Sequence, residues 1–429
     1  MTGRFDDTRS EAAERDARDP LAAFRSRFYR RPDVIYLDGN SLGLASRDAE
    51  ESVLAALEDW KRYGIDGWLD GERPWFTIGE ELGARLARLV GARTGEVVVA
   101  GSTTGNIHAL AATFYRPTGR RTKLVADTLN FPSDLYALAS QVRLRGLDPA
   151  EHLVLVPSSD GRTIDEDAVI AAIDEQAALV VVPSVLYRSG QLLNLELLAK
   201  VAHKRGALLG VDCSHSVGVL PHDLHEWDVD WAVFCTYKYL CGGPGSVAAL
   251  FVHERHHGTA PALAGWWGSD KNRQFDMSIE FTPAGDAGAW QIGTPSILGS
   301  ASLYGALKIV EEAGIERIRA KSEEQTRWLI ELVDRWLSGT EYGFVVGSPR
   351  EPHRRGGHIA LEHPEGVQVC KALKARGIIP DFRPPNVIRV APIPLYTTYD
   401  EIWRTIQALR EIMETGEHHR YGAERQAVS

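Results

Sequence analysis

The strongest constraint on the fold of this 429-residue chain is a series of short apolar segments between residues 96 and 253 that alternate with amphipathic ones. The apolar segments are EVVVAG, TKLVAD, HLVLVP, ALVVVPSV, ALLGVD, WAVFCTY and SVAALFVH, and helical segments such as NLELLAKVAHKRG lie between them. Near-continuous apolar strands that alternate with helices are typical of a mostly parallel sheet covered on both faces. We therefore predict an α/β fold that binds its ligands at the carboxyl ends of the strands.

The pattern changes after about residue 299. Two long helical segments, ILGSASLYGALKIVEEAG and IERIRAKSEEQTRWLIELVDRWLSG, lead to short strand-like pieces, YGFVVG, GGHIALEH and NVIRVAP. This order predicts a smaller α+β domain at the C-terminus. We place the large domain at residues 46–310, the small domain at residues 311–429 and an N-terminal arm at residues 1–45. The first ~30 residues are polar and charged, and we expect them to be loose.

Composition excludes several classes of function. Hydrophobic residues make up 44% of the chain and charged residues 25%, as in soluble globular proteins. The formal net charge of -10 argues against a nucleic-acid partner. No apolar run approaches the ~18 residues of a membrane helix. The four cysteines lack the spacing of a zinc site, so we expect no metal site. They are also too few for a disulfide framework, and the polar N-terminus does not match a signal peptide, so we expect a cytoplasmic location.

Two motifs follow the first predicted strands. GSTTGN, at residues 101–106, combines small residues and hydroxyls at a helix start, which can bind a phosphate, although such a segment is more often only a helix cap. FPSD, at residues 131–134, places Phe131 before a proline at another helix start. The ring of Phe131 either packs into the core or stacks on a flat ligand.

Two further motifs follow later strands. Asp212, in VDCSHSVG, ends an apolar strand, where a carboxylate needs a positive partner or several donors. Lys238, in FCTYKYLCGGPG, ends the next one. A buried structural aspartate and a lysine that reaches out to water are the simplest interpretations of each residue alone. A partly desolvated lysine can instead bond covalently to an aldehyde.

The four motifs taken together match the needs of pyridoxal 5'-phosphate (PLP). The cofactor needs a phosphate site, a stacking ring, an acid for its pyridine nitrogen and a lysine for its aldehyde. The chain offers these groups in that order, each at a predicted strand end. We therefore predict a PLP enzyme.

The sequence resembles the kynureninase family of fold-type I PLP enzymes. The resemblance rests on LDGNSLG (37–43), TTGN (103–106), FPSD (131–134), VDCSHSVG (211–218), TYKYLCGGPGS (236–246), GWWG (265–268) and RVAPIPLY (389–396). These motifs span nearly the whole chain. The resemblance implies hydrolysis of the Cβ–Cγ bond of L-kynurenine to anthranilate and L-alanine, within tryptophan catabolism or an anthranilate-using biosynthetic route.

The resemblance also implies roles for individual residues. Lys238 would hold the cofactor's aldehyde, and Tyr237 would reach its phosphate and take part in proton transfer. The other cofactor contacts implied are Thr103, Thr104, Phe131, Ser133, Asp134, Ser184, Asp212 and His215. Trp266 and Thr294 would contact the phosphate from a partner subunit, which implies a homodimer with shared sites. The substrate contacts implied are Arg389, for the α-carboxylate, with Trp68, Asn40 and Ser41.

Two positions depart from the animal enzymes of the family. Trp68 stands where those enzymes carry a histidine, and Thr294 where they carry an asparagine. Both changes remove polar groups suited to a ring hydroxyl, so we expect L-kynurenine to be preferred over 3-hydroxykynurenine.

Two other kinds of protein stay open as alternatives. The first is another fold-type I enzyme, either an aminotransferase or a cysteine desulfurase. A desulfurase needs a mobile cysteine after the lysine, and the late cysteine, Cys370, lies in a helical segment. The second is a binding module of the same fold without catalytic activity.

Overall fold

The computed structural model describes residue 5, residues 7–339 and residues 341–424. The helices are α1 (Asp7–Ala17), α2 (Arg47–Tyr63), α3 (Ile78–Leu89), α4 (Thr103–Phe114), α5 (Pro132–Leu144), α6 (Pro149–His152), α7 (Glu166–Ala172), α8 (Leu195–Arg205), α9 (Ile297–Ala313), α10 (Ile315–Trp336), α11 (Gly366–Ala375) and α12 (Tyr399–Thr415). The strands are β1 (Ile35–Tyr36), β2 (Val97–Val99), β3 (Lys123–Asp127), β4 (Leu153–Val156), β5 (Ala177–Pro183), β6 (Leu208–Asp212), β7 (Trp231–Phe234), β8 (Ala249–Val252), β9 (Val345–Val346), β10 (Ile359–Glu362), β11 (Ile378–Ile379), β12 (Asp381–Arg383) and β13 (Val387–Val390).

Seven strands form the central sheet, in the order β2-β8-β7-β6-β5-β3-β4. β8 runs antiparallel to both of its neighbours, and the other neighbouring pairs are parallel. Apolar residues fill β5 and β7, and all of them are buried, because helices cover both faces of the sheet. The predicted mostly parallel α/β sheet is therefore confirmed.

A second sheet of four antiparallel strands, β12-β13-β10-β9, lies in the C-terminal part of the chain. Helices α10, α11 and α12 pack around it and share a separate hydrophobic core that includes Trp328, Ile388 and Ile406. The predicted small α+β domain is therefore confirmed in its architecture. The position of its boundary stays a prediction.

The N-terminal arm is not loose where the structure describes it, and that expectation was wrong. α1 packs on α12, with Ala12 buried in the small-domain core and the Trp403 indole donating a hydrogen bond to Thr8. β1 then pairs in parallel with β11. The sequence of α1 did not predict this packing, because its few buried residues are separated by exposed charged ones. The arm leads directly into residues 38–41, beside β13.

Within the part of the chain that the structure describes, no helix is long and apolar enough to cross a membrane.

Candidate active site

The carboxyl ends of neighbouring strands bring four of the predicted site residues together. Asp212 is the last residue of β6, Lys238 follows β7, and Asp134 lies in the first turn of α5, which follows β3. The Nζ of Lys238 lies 2.9 Å from Nε2 of His215. The carboxyl groups of Asp134 and Asp212 are in contact. We call these four residues the strand-end cluster.

Buried acid dominates this region. Asp134 is only 2% exposed, and burial together with the negative charge of Asp212 raises its pKa well above the usual value, while Lys238 acts in the opposite direction. Asp127, the last residue of β3, is fully buried, and burial raises its pKa to about 7. Three carboxyl groups beside one half-buried lysine suit a ligand that carries a protonated nitrogen.

The first turn of α4 can hold an anion. Gly101, at φ 55°, turns the chain out of β2, and the hydroxyl of Ser102 caps the helix by accepting a backbone N–H. Thr103 Oγ1 is buried and has no hydrogen-bond partner among the described residues. Thr104 Oγ1 lies 2.6 Å from Oγ of Ser133, at the start of α5. Hydroxyls from two helix starts, together with free backbone N–H groups, can bind a phosphate.

Phe131 presents an aromatic ring at the start of α5. The residue is 40% exposed, and its ring meets the ring of Tyr187 edge-on, with 5.3 Å between the centroids. Phe131 is therefore not the core residue of the simpler interpretation. Its exposed ring is free to cover a flat ligand.

Two histidines lie behind Lys238. Burial, followed by the positive charges of Lys238 and Arg389, holds the pKa of His215 well below its usual value. Neutral His215 accepts the Lys238 hydrogen bond through Nε2, which places its own proton on Nδ1. His358 was missed from the sequence because its segment, GGHIALEH, matches an ordinary strand. Its ring lies 5.8 Å from that of His215, and burial lowers its pKa to about 3.

Arg389 lies on β13 and is almost fully buried. It donates hydrogen bonds to the carboxylate of Asp381, to the Tyr187 carbonyl at 2.8 Å and to Ser41 Oγ at 2.8 Å. Asp381, on the neighbouring strand, therefore already supplies Arg389 with a carboxylate partner.

Asn40 adjoins Ser41 in the segment that follows β1. It is fully buried, and both atoms of its amide group lack hydrogen-bond partners within the described part of the chain. An unpaired buried amide is costly, so it marks a position where a ligand would complete the hydrogen bonding.

Four predicted site residues lie outside the strand-end cluster and the other contacts described so far. Ser184 is buried, and its hydroxyl meets Ser216 Oγ at 2.5 Å and the Asp212 carbonyl at 3.2 Å. It lines a cavity of about 540 Å³ with His222 and Trp227, apart from Lys238. Ser184 therefore contacts the backbone of Asp212, and its hydroxyl bonds to no side chain of the strand-end cluster.

The other three are aromatic or surface residues. Trp68 packs against Trp75 and Trp267, with ring centroids 5.7 Å and 5.1 Å away. Trp266 is 41% exposed, and Thr294 is also exposed. Tyr237 is not one of these four residues, since it adjoins Lys238. It is half-buried, and burial with the neighbouring Cys235 raises its pKa.

The described residues fit PLP. The unpaired Thr103 hydroxyl and the start of α4 suit the phosphate, and the surplus of buried acid at Asp212 and Asp134 suits a protonated pyridine nitrogen. Lys238 lies beside these acids, where it can hold the aldehyde. Phe131 offers a ring to the face of the cofactor.

Comparisons with known proteins agree with this geometry. Residues 318–409 match the family described as "Kynureninase C-terminal domain", and residues 74–235 match "Aminotransferase class I and II". The chain is 54% identical to a "Kynureninase" of Geobacillus thermodenitrificans over 418 residues, which cover 97% of both chains. It is 53% identical to a "Kynureninase" of Shouchella clausii over 422 residues, which cover 98% of both.

Solved structures share the fold at low sequence identity. A cysteine desulfurase from Thermococcus onnurineus is 21% identical with a TM-score of 0.76, and the match covers 93% of this chain and 99% of the other. A complex of the cystine C–S lyase C-DES with cysteine persulfide is 17% identical with a TM-score of 0.74, covering 89% of this chain and 98% of the other.

Proposed function

This chain belongs to the kynureninase family and is a PLP-dependent hydrolase of carbon–carbon bonds, and we propose how its residues cleave L-kynurenine and why they prefer it to 3-hydroxykynurenine. The products are anthranilate and L-alanine. The observation that carries the proposal is the strand-end cluster. In it, a lysine, a neutral histidine and two carboxyl groups lie together at the carboxyl ends of neighbouring strands.

The roles of the residues follow from their contacts. Bound PLP supplies an electron sink that stabilises negative charge on the substrate carbons next to the amine. The carboxyl groups of Asp212 and Asp134, which are in contact, would keep a proton on its ring nitrogen, because a buried carboxylate needs a positive partner. The Nζ of Lys238 would hold the aldehyde, and as a free amine it would take the α-proton of the substrate.

Other residues hold the ends of the cofactor and the substrate. Thr103, Thr104 and Ser133 bind the phosphate, and Phe131 covers the ring. His215 Nε2 fixes the position of Lys238 Nζ. Tyr237 stays protonated at neutral pH, since burial raises its pKa, and would donate a proton to a substrate carbon. Arg389, with Asn40 and Ser41, binds the α-carboxylate.

A homodimer completes the site. The segment of residues 263–298, which we call the surface segment, exposes Phe275 (67%), Met277 (71%) and Ile279 (104%) as well as Trp266. An apolar patch of this kind is typical of a protein interface. A second copy of the chain would bury the patch and bring Trp266 and Thr294 to its neighbour's phosphate. We also propose a cytoplasmic location, in keeping with the free, buried cysteines of the described chain.

Substrate preference depends on the aromatic surroundings of Trp68. Trp75 and Trp267 surround it with rings, so the wall that it forms has little polarity to offer a ring hydroxyl. Thr294 is shorter than the asparagine that it replaces.

Cysteine desulfurase activity finds no support in the site. Cys370 lies in α11, is 4% exposed, and burial raises the pKa of its thiol. A helical, protonated and buried thiol cannot reach a substrate sulfur at Lys238.

The test uses the purified holoenzyme with each substrate in turn. Equal yields of anthranilate and alanine from L-kynurenine, and a kcat/KM at least ~10-fold higher than that for 3-hydroxykynurenine, are expected. A higher kcat/KM for the hydroxylated substrate would refute the proposed preference. Transfer of the amine to a ketoacid without anthranilate release would refute the cleavage.

A further inference from the structure

Asp381 and Arg389 form a buried cross-strand pair in the small domain. In the antiparallel pairing of β12 with β13, Asp381 lies directly opposite Arg389. Directly paired residues point to the same face of a sheet, so the register itself sets the carboxylate beside the guanidinium. Both residues are at most 1% exposed. Their contact therefore does not depend on a surface side chain that could swing away.

Asp381 holds one edge of the guanidinium. Its Oδ2 accepts from Arg389 Nε and also lies against Nη2. The other edge, between Nη1 and Nη2, faces two distant segments, since Nη1 donates to the Tyr187 carbonyl and Nη2 to Ser41 Oγ. Tyr187 follows β5 of the large domain, and Ser41 belongs to the segment after β1. The edge that Asp381 does not hold therefore faces Ser41, one of the predicted substrate contacts.

A second arginine balances the charge of Asp381. Arg383 lies two residues further along β12, and its Nε donates to the same Oδ2 at 2.8 Å. The three side chains form an Arg-Asp-Arg series, and the buried carboxyl group of Asp38 lies within electrostatic range of all three. Removal of Asp381 would leave two guanidinium groups repelling each other, and Arg389 would lose the partner that holds its Nε edge while its bonds to Tyr187 and Ser41 remain.

We propose that Asp381 is a positioning residue for substrate recognition, which orients the Arg389 guanidinium toward the substrate's α-carboxylate. The inference rests on the proposed role of Arg389. Asp381 acts through the arginine and does not touch the substrate, so its loss weakens binding of the carboxylate more than it slows later steps. A displacement of about 1 Å in such a group can cost about 100-fold.

The experiment measures binding to the holoenzyme through the absorbance of its bound cofactor. L-homophenylalanine carries an α-carboxylate but no ketone to cleave, and phenylpropylamine is the same molecule without the carboxylate. Asp381→Asn is expected to weaken binding of L-homophenylalanine by about 100-fold and to change that of phenylpropylamine by less than about threefold. The KM for L-kynurenine should rise far more than kcat falls. Equal losses for both probes would mean general damage and would overturn the proposal.

A double-mutant cycle separates this inference from the proposed function. If Asp381 acts through Arg389, Asp381→Asn adds nothing in an Arg389→Gln background. Additive losses would overturn the inference while leaving the role of Arg389 intact. Unchanged L-homophenylalanine binding in Arg389→Gln itself would instead refute the proposed role of Arg389. Should Asp381→Asn fail to fold, Asp381→Glu keeps the charge and shifts it by one methylene, and the same probe selectivity is expected of it.

Discussion

The strand-end cluster and the surface segment serve the same proposed site in opposite ways. The cluster is fully formed within one chain, in which Asp134 is buried and Lys238 is hydrogen-bonded to His215. The surface segment exposes Trp266 and Thr294, together with apolar side chains that a soluble chain would otherwise bury. The difference teaches that, under the proposed function, one chain carries all the groups for the covalent and acid–base chemistry, whereas closure of the phosphate end would need a pair of chains.

The largest expected effect is on the self-contained cluster. Lys238→Ala should lower turnover of L-kynurenine by at least ~1,000-fold, because the amine that holds the aldehyde and moves the α-proton is lost. Borohydride reduction followed by mass measurement should find the cofactor attached to the wild-type chain and not to the variant. Lys238→Arg keeps the charge and should be equally inactive. Substantial turnover by either variant would contradict the role given to Lys238.

A smaller effect is expected from the surface segment. Trp266→Ala should weaken PLP binding by ~10-fold to 100-fold and leave the unfolding temperature of the cofactor-free chain nearly unchanged, since the side chain is exposed within its own chain. Equilibrium dialysis of the cofactor measures the first quantity. Leu144→Ala, at the exposed C-terminal end of α5, is the matched control and should change neither. Wild-type PLP affinity in Trp266→Ala would remove the surface segment from the site.

The wall around Trp68 should affect selectivity more than rate. Trp68→His restores a polar group near a ring hydroxyl and should shift the ratio of kcat/KM values toward 3-hydroxykynurenine by about 10-fold. Trp60→His, on an exposed turn of α2, controls for the loss of an indole and should leave the ratio unchanged. A ratio that moves equally in both variants would mean that Trp68 does not contact the substrate ring.

The last prediction concerns stability rather than activity, and it follows from the buried acid beside the cluster. Burial raises the pKa of Asp127 from 3.8 to about 7, so the folded chain binds this proton more tightly than the unfolded chain. Its contribution to stability is present below pH ~4 and is lost as the pH rises through 7. Asp127→Asn should therefore be more stable than the wild type above pH 7, by up to about 4 kcal/mol, with a gap that shrinks toward pH 4. Denaturant unfolding at pH 5 and pH 8 measures the gap, and a gap independent of pH would contradict the assignment.

Sequence patterns predicted the parts of the site that follow from strand order. Asp212 and Lys238 could be placed near each other because parallel strands end at one edge of their sheet. Asp381 and His358 could not be placed, since their positions depend on the register of the small antiparallel sheet and on how it packs against the large domain. Ser184 follows β5, the neighbour of the strand that ends at Asp212, but its hydroxyl is hydrogen-bonded to Ser216. The burial of α1 was missed because its docking contacts lie far away in sequence.

The most direct test of this division combines two variant chains. One carries Lys238→Ala, and the other carries both Trp266→Ala and Thr294→Ala. The two are mixed, unfolded and refolded together. In a dimer with shared sites, each hybrid contains one site with an intact Lys238 from one chain and intact Trp266 and Thr294 from the other. Random pairing should then restore about a quarter of the wild-type anthranilate production. Activity no greater than the average of the two separate variants would show that each chain builds its site alone, and would contradict the account.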